Sequence, residues 1–329
     1  MLETFGAGQS VELAVVERSG FVESRHLGAV SVVDPAGNEI VALGNTAALV
    51  YPRSTLKPFQ AAAVLASGVE LTGDLAAIAT SSHTGTDLHV RLVREIVSRA
   101  YLTPDALQCP ADWPLDRRSR DELVLAREEK APVYMCCSGK HAAMLYACVV
   151  NEWPISSYLE PEHPLQVRIK EVMERFIGEK IQHTGVDGCG APVHAMTLTA
   201  LARGIRSVVT GSPTSPFGMF RAGAVITQAV REHGEIVAGP GEPDTAVIDR
   251  LGLFAKTGAE GITVVSTADG TTVAVKVLDG SSRADMITAL HALKNVGALT
   301  QAHIDDVTPS LHLTVYGGGA PVGTIRSSI

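Results

Sequence analysis

The chain lacks any cluster of lysine and arginine. Its 27 basic residues stand against 35 acidic ones, for a formal net charge of -8 and an isoelectric point near 5.8. That balance argues against a nucleic-acid surface and equally against anionic lipid. No uncharged stretch is long enough to span a bilayer, and the opening MLETFGAGQSVELAVVERSG has no basic n-region followed by an apolar h-region. A cytoplasmic protein is the expectation. Cysteines are few and odd in number (Cys109, Cys136, Cys137, Cys148, Cys189), which argues against a disulfide framework in a chain of 329 residues. Zinc-finger spacing of the C-x-x-C or Cys/His kind is missing as well. Internal repeats and low-complexity linkers are also absent. What is present is apolar: 46% hydrophobic against 19% charged residues, enough for a large core in one or two domains.

The patterning predicts a mixed α+β protein. VELAVVERSG and AVSVVDPAGNEIVALG alternate like strands, with a tight turn at Asp34-Pro35-Ala36-Gly37. From Thr55 to about His233 helical periodicity dominates: DLHVRLVREIVSRA, a capping box at Ser119 to Glu122, HPLQVRIKEVMERFIG headed by Pro164, and RAGAVITQAVREHG closed by Gly234. Strands then return in GITVVSTADGTTVAVKVLDG, followed by a helix in RADMITALHALKNVG and a last strand in LHLTVYGG. The expectation is one antiparallel sheet built from the two β-rich ends, about 1–54 and 250–329, with a mostly helical companion lobe over about 55–249. A cleft between the lobes is the natural place for a site.

Within YPRSTLKPFQ, Pro58 and the Ala, Val and Leu that follow place Ser54 at or just before a helix start, with Lys57 on the same face one turn on. That helix is apolar all round and should be central. A serine hydroxyl becomes a nucleophile when a nearby base takes its proton, and a lysine in a dry site can be that base. Alone, S-x-x-K reads first as an N-cap serine beside a snorkelling lysine, because it arises by chance about once in a chain this long. Lys256-Thr257-Gly258 changes the balance. S-x-x-K opening a central helix, then K-T-G on a strand about two hundred residues on, is the order seen in serine β-lactamases and penicillin-binding proteins, although S-D-N and an export signal are missing. Between them, Cys137, Gly139 and Lys140 fall at a loop-to-helix junction, and Cys189 sits between glycines in VDGCGAPVHAM. Spacing alone favours buried inert cysteines there, with a two-thiolate zinc site as the alternative.

Taken in order, RSGFVESRHLGAV, PRSTLKPFQ, SSHTG, CSGKHAAML, DGCGAPVHAM and KTGAEG resemble the Rhizobium-etli-type L-asparaginases over about Val11 to Tyr316. The resemblance implies a serine-β-lactamase and glutaminase-like fold, a homodimer, and hydrolysis of L-asparagine to L-aspartate and ammonia. It implies two Ser-Lys tandems, Ser54 with Lys57 and Ser82 with Lys256. It further implies one Zn²⁺ per chain on Cys137, Lys140 and Cys189, and substrate contacts from Arg53, Asp187 and His141. Two lysines in a poorly hydrated cleft should lower at least one lysine pKa toward the range of a general base. Two other readings keep part of the pattern: a related glutaminase-like or small-amide hydrolase, and a non-enzymatic protein binding zinc or an amino acid.

Overall fold

A computed structural model describes residues 2–329. Strands are β1 (Val11–Arg18), β2 (Phe21–Val33), β3 (Glu39–Leu43), β4 (Leu49–Val50), β5 (His183–Val186), β6 (Pro192–Thr197), β7 (Phe254–Gly258), β8 (Ile262–Ser266), β9 (Thr272–Val277), β10 (Thr314–Gly317) and β11 (Ala320–Ser327). Both chain ends meet in one antiparallel sheet of eight strands, ordered β10-β11-β1-β2-β9-β8-β7 with β3 paired to β2. The turn at residues 34–38 forms as expected, because the Asp34 carboxylate accepts from the Ala36 and Asn38 amides.

Helices fill the middle of the sequence: α1 (Lys57–Leu65), α2 (Gly73–Thr80), α3 (Asp87–Arg99), α4 (Arg117–Leu125), α5 (Ser138–Val150), α6 (Pro164–Ile177), α7 (Leu198–Val209), α8 (Gly218–Glu232), α9 (Gly234–Val237) and α10 (Pro243–Leu251). Two more, α11 (Asp285–Asn295) and α12 (Gln301–Val307), come late in the chain. Strands β8 and β9 are buried along their whole length, which requires cover on both faces. α7 supplies cover on β2 and β9, and α11 on β8 and β9. α1 is buried from Lys57 to Val64 and packs against α5, α6 and α8. Its small residues allow that close approach on every side. A Cβ at Gly139 would stand 2.2 Å from the carbonyl oxygen of Ile78, so only glycine lets α5 lie this close to α2.

Several local expectations differ from the structure. α4 begins two residues before Ser119, because the Asp116 carboxylate accepts from both the amide and the hydroxyl of Ser119 and is the better cap. Gly234 opens α9 instead of closing α8. The helical middle also holds a small sheet, β4-β6-β5, and the last strand is a hairpin of β10 with β11.

Candidate active site

Ser54 stands in a 3-10 turn, Arg53–Leu56, that runs directly into α1. The turn is entered through Arg53 at φ 50°, a left-handed conformation uncommon for a side chain of this size. Arg53 Nε donates to Asp187 Oδ1 at 2.8 Å, and this partly buried pair helps to hold the conformation. Arg53 and Asp187, expected as separate substrate contacts, therefore meet each other across 134 residues of sequence. Opposite the turn lies Gly258 at the end of β7. A Cβ there would meet the Pro52 carbonyl oxygen at 2.9 Å and the Ser54 nitrogen at 3.1 Å, so the glycine is what lets the strand close against the serine.

Between turn and strand opens a cleft of about 560 Å³ whose lining includes Ser54, Ser82, Cys136, Asp244, Lys256 and Thr257. Lys57 and Lys256 are each 1% exposed. Lys57 Nζ donates to Ser82 Oγ at 2.8 Å and to the Ser81 carbonyl at 2.5 Å. Ser82 is thus the cleft serine, whereas Ser81 is fully buried with its hydroxyl unpartnered among the described residues. Lys256 Nζ donates to the Thr257 carbonyl at 2.8 Å and lies 3.9 Å from Asp244 Oδ2. Burial lowers the Lys256 pKa to about 8; the Asp244 carboxylate opposes that shift and the Lys57 charge adds to it.

Asp244 is a residue that motif reading missed. It sits in the first turn of α10 behind Pro243, a place where an acidic residue ordinarily answers the helix dipole. Here both its oxygens are turned to Thr257, accepting from the amide at 2.8 Å and the hydroxyl at 2.5 Å. Asp285 was likewise missed, and no spacing signal marks it.

Behind the cleft the cysteine loop packs against the Ser82 loop, the His83 amide donating to the Cys136 carbonyl at 3.2 Å. Cys137, Lys140 and Cys189 are all buried, and Lys140 Nζ donates to Cys189 Sγ at 3.1 Å. Cys136 Sγ is 3.8 Å from Cys137 Sγ. Of these thiols Cys137 is the one pulled down, by hydrogen bonds from Cys136 and Cys189 and by the charges of Lys57 and Lys140. His141 lies on α5, not in a loop, and is fully buried. Its Nδ1 faces the Tyr158 hydroxyl at 2.7 Å, and burial lowers its pKa to about 3, so the ring is neutral. Among the described residues no group of three His, Cys, Asp or Glu side chains is arranged to hold a metal. A zinc site would therefore need the amine of Lys140 as its third donor. Lys140 Nζ on Cys189 Sγ, with Cys137 hydrogen-bonded to Cys189, brings two sulfurs and an amine together, a donor set that fits that ion, since ligands around tetrahedral zinc stand roughly 3.5 Å apart.

Ser54, Ser82 and Lys256 face one cleft, and Lys57 stands behind it bonded to Ser82. The chain belongs to the L-asparaginase II family, whose model matches residues 14–327. It is thus of the asparaginase type of amidohydrolase. Among solved structures the chain is similar to a β-lactamase from Mycobacterium bovis, at 13% identity and a TM-score of 0.44 over 83% of this chain and 95% of that one. It is also similar to the native form of Mglu, at 14% identity and a TM-score of 0.39 over 83% of this chain and 64% of that one. No curated protein sequence matches it. Among the described residues no helix is long and apolar enough to cross a membrane.

Proposed function

We propose that the protein hydrolyses L-asparagine to L-aspartate and ammonia through a β-aspartyl ester on Ser54, as the Rhizobium-etli-type enzymes it resembles are expected to do. The observation that carries this reading is the convergence of Ser54, Ser82 and Lys256 on one cleft, with Lys57 Nζ bonded to Ser82 Oγ. Ser54 Oγ attacks the side-chain amide carbon. The developing oxyanion is met by backbone N–H groups at the start of the turn and at the adjoining end of β7.

The two lysines divide the proton work. Lys57 Nζ already gives hydrogens to Ser81 O and Ser82 Oγ, whereas Lys256 is the lysine whose charge burial disfavours. Lys256 is therefore the better-poised acceptor for the Ser54 proton, and the Lys57–Ser82 pair the better-poised donor to the departing ammonia. This exchanges the lysine partners that the tandem motifs suggest. Water then hydrolyses the ester by the same groups in reverse. Asp187 and Arg53 are suited to the ammonium and carboxylate of the substrate once their own pair opens. His141, uncharged and buried beside Lys140, backs that end of the site.

Cys137, Lys140 and Cys189 would hold zinc, which when bound would supply bracing for two loops and a fixed orientation for substrate. The same resemblance supports a cytoplasmic homodimer, which sedimentation of the purified chain checks. The test of the reading is ammonia release from asparagine and from glutamine, with mass spectrometry of the quenched enzyme. Turnover of asparagine with an aspartyl adduct on the peptide carrying Ser54 is expected. Preference for glutamine would move the assignment to the glutaminase-like reading, and turnover of neither would remove it.

A further inference from the structure

Behind Lys256 three oxygen-to-oxygen contacts run in series between two carboxyl groups. Asp244 Oδ1 lies 2.5 Å from Thr257 Oγ1, Thr257 Oγ1 lies 3.0 Å from Thr263 Oγ1, and Thr263 Oγ1 lies 3.0 Å from Asp285 Oδ2. Each contact needs one hydrogen, and the two threonine hydroxyls supply only two. The third must come from one of the carboxyl groups. Asp244 faces the Lys256 ammonium at 3.9 Å and receives the Thr257 amide, both of which favour the carboxylate. Asp285 is 2% exposed, receives the Met286 amide and its own, and among the described residues forms no ion pair. Lys276, the nearby lysine on β9, directs its amine to the carbonyls of Glu260 and Val277.

We propose that Asp285 is a carboxylic acid at neutral pH and below, and that its proton orders a one-way chain, Asp285 to Thr263 to Thr257 to Asp244, which fixes Asp244 as the lone anion beside Lys256. Asp285 is in this sense a positioning residue. Burial raises its carboxyl to about 7, with the Asp244 charge adding to the rise and the Met286 amide bond opposing it, in keeping with the hydrogen count. The consequence for chemistry rests on the reading of Lys256 as a base. Above about neutral pH, where Asp285 ionises, the second anion would hold the Lys256 proton more tightly and move the upper part of its working range upward, and the broken chain would free Asp244 to turn.

Infrared difference spectra of the full chain, wild type minus Asp285→Asn at about pH 6, test the proton directly, because an ordinary aspartate is ionised there. A protonated-carboxyl band present in the wild type and lost in the variant is expected; no such band overturns the proposal. Asparagine likewise offers a donor to Thr263 and an acceptor to the Met286 amide. Asp285→Asn should therefore keep kcat/KM about tenfold or more above Asp285→Ala. Equal losses in the two variants would mean that a carboxylate is required, and would also overturn it. Should the protein hydrolyse no asparagine, the reading of Lys256 falls while the infrared result still decides the state of Asp285.

Discussion

The cleft has two walls: Lys256 lines one, and Lys57 stands behind the other, bonded to its Ser82. On the helical wall Lys57 is anchored by two oxygens from the loop after α2, so its amine is fixed in place beside Ser82. On the strand wall Lys256 has one carbonyl and a carboxylate 3.9 Å away, too distant for a hydrogen bond, and burial brings its pKa to about 8. Exposure is the same at 1%. Burial alone therefore does not set a lysine's task; the partners within reach of its amine do. On the proposed reading, one wall delivers a proton to the leaving group and the other takes one from Ser54.

Removing the proposed nucleophile, where the two walls meet, should cost most. Ser54→Ala is expected to lower kcat by about 10³ or more with the fold intact by circular dichroism, and a variant retaining a tenth of wild-type turnover would show that the ester forms elsewhere. Next comes the helical wall. Ser82→Ala cuts the route from Lys57 to the leaving group and should lower kcat by about 10² while the pH profile keeps its shape, since the titrating group is on the other wall. A change in the limb itself would place the base on the helical side.

How the walls meet is tested by Gly258→Ala. The added methyl would press on the Pro52 carbonyl and the Ser54 nitrogen, both backbone atoms, and should cost about 1–3 kcal/mol in stability along with about tenfold in kcat. Thermal unfolding beside kinetics measures both, and unchanged values would mean that the walls tolerate separation. The smallest effect is expected behind the helical wall. Cys189→Ala should leave less than one zinc per chain by elemental analysis and raise KM several-fold more than it lowers kcat. Full metal content in this variant and in Cys137→Ala would withdraw the zinc assignment.

Sequence made the ends of this arrangement readable and left its middle hidden. Ser54 and Lys57 share one turn, and Pro58 marks where that turn becomes a helix, so local rules suffice. Lys256 lies in a short strand pattern with glycine after it. The bond from Lys57 to Ser82, the Arg53–Asp187 pair and the Asp244–Thr257–Thr263–Asp285 series all join separate elements, and no periodicity within one element carries them. Asp244 shows the difficulty most clearly. An acidic residue behind a helix-heading proline has an ordinary local explanation, and only the arrival of β7 gives it another. Most of the eight-stranded sheet was legible because its strands alternate or run apolar; β11, beyond the strand expected in LHLTVYGG, was not. The two-residue strand β4 and the short β5 were not, since pairing of Leu49 across 148 residues with Thr197 is what defines the first of them.

The division of labour between the walls is tested most directly by kcat/KM against pH for the wild type, Lys256→Met and Lys57→Met, corrected for stability. A lysine that must be neutral to act contributes above its pKa, so the wild-type rate should climb through a limb near pH 8 and level off beyond it. Lys256→Met should lose about 10² or more in rate and lose the limb with it, while Lys57→Met should be slow and still climb. A wild-type profile flat from about pH 6 to 10, or a limb that survives in Lys256→Met and vanishes in Lys57→Met, would contradict the assignment of the base to the strand wall.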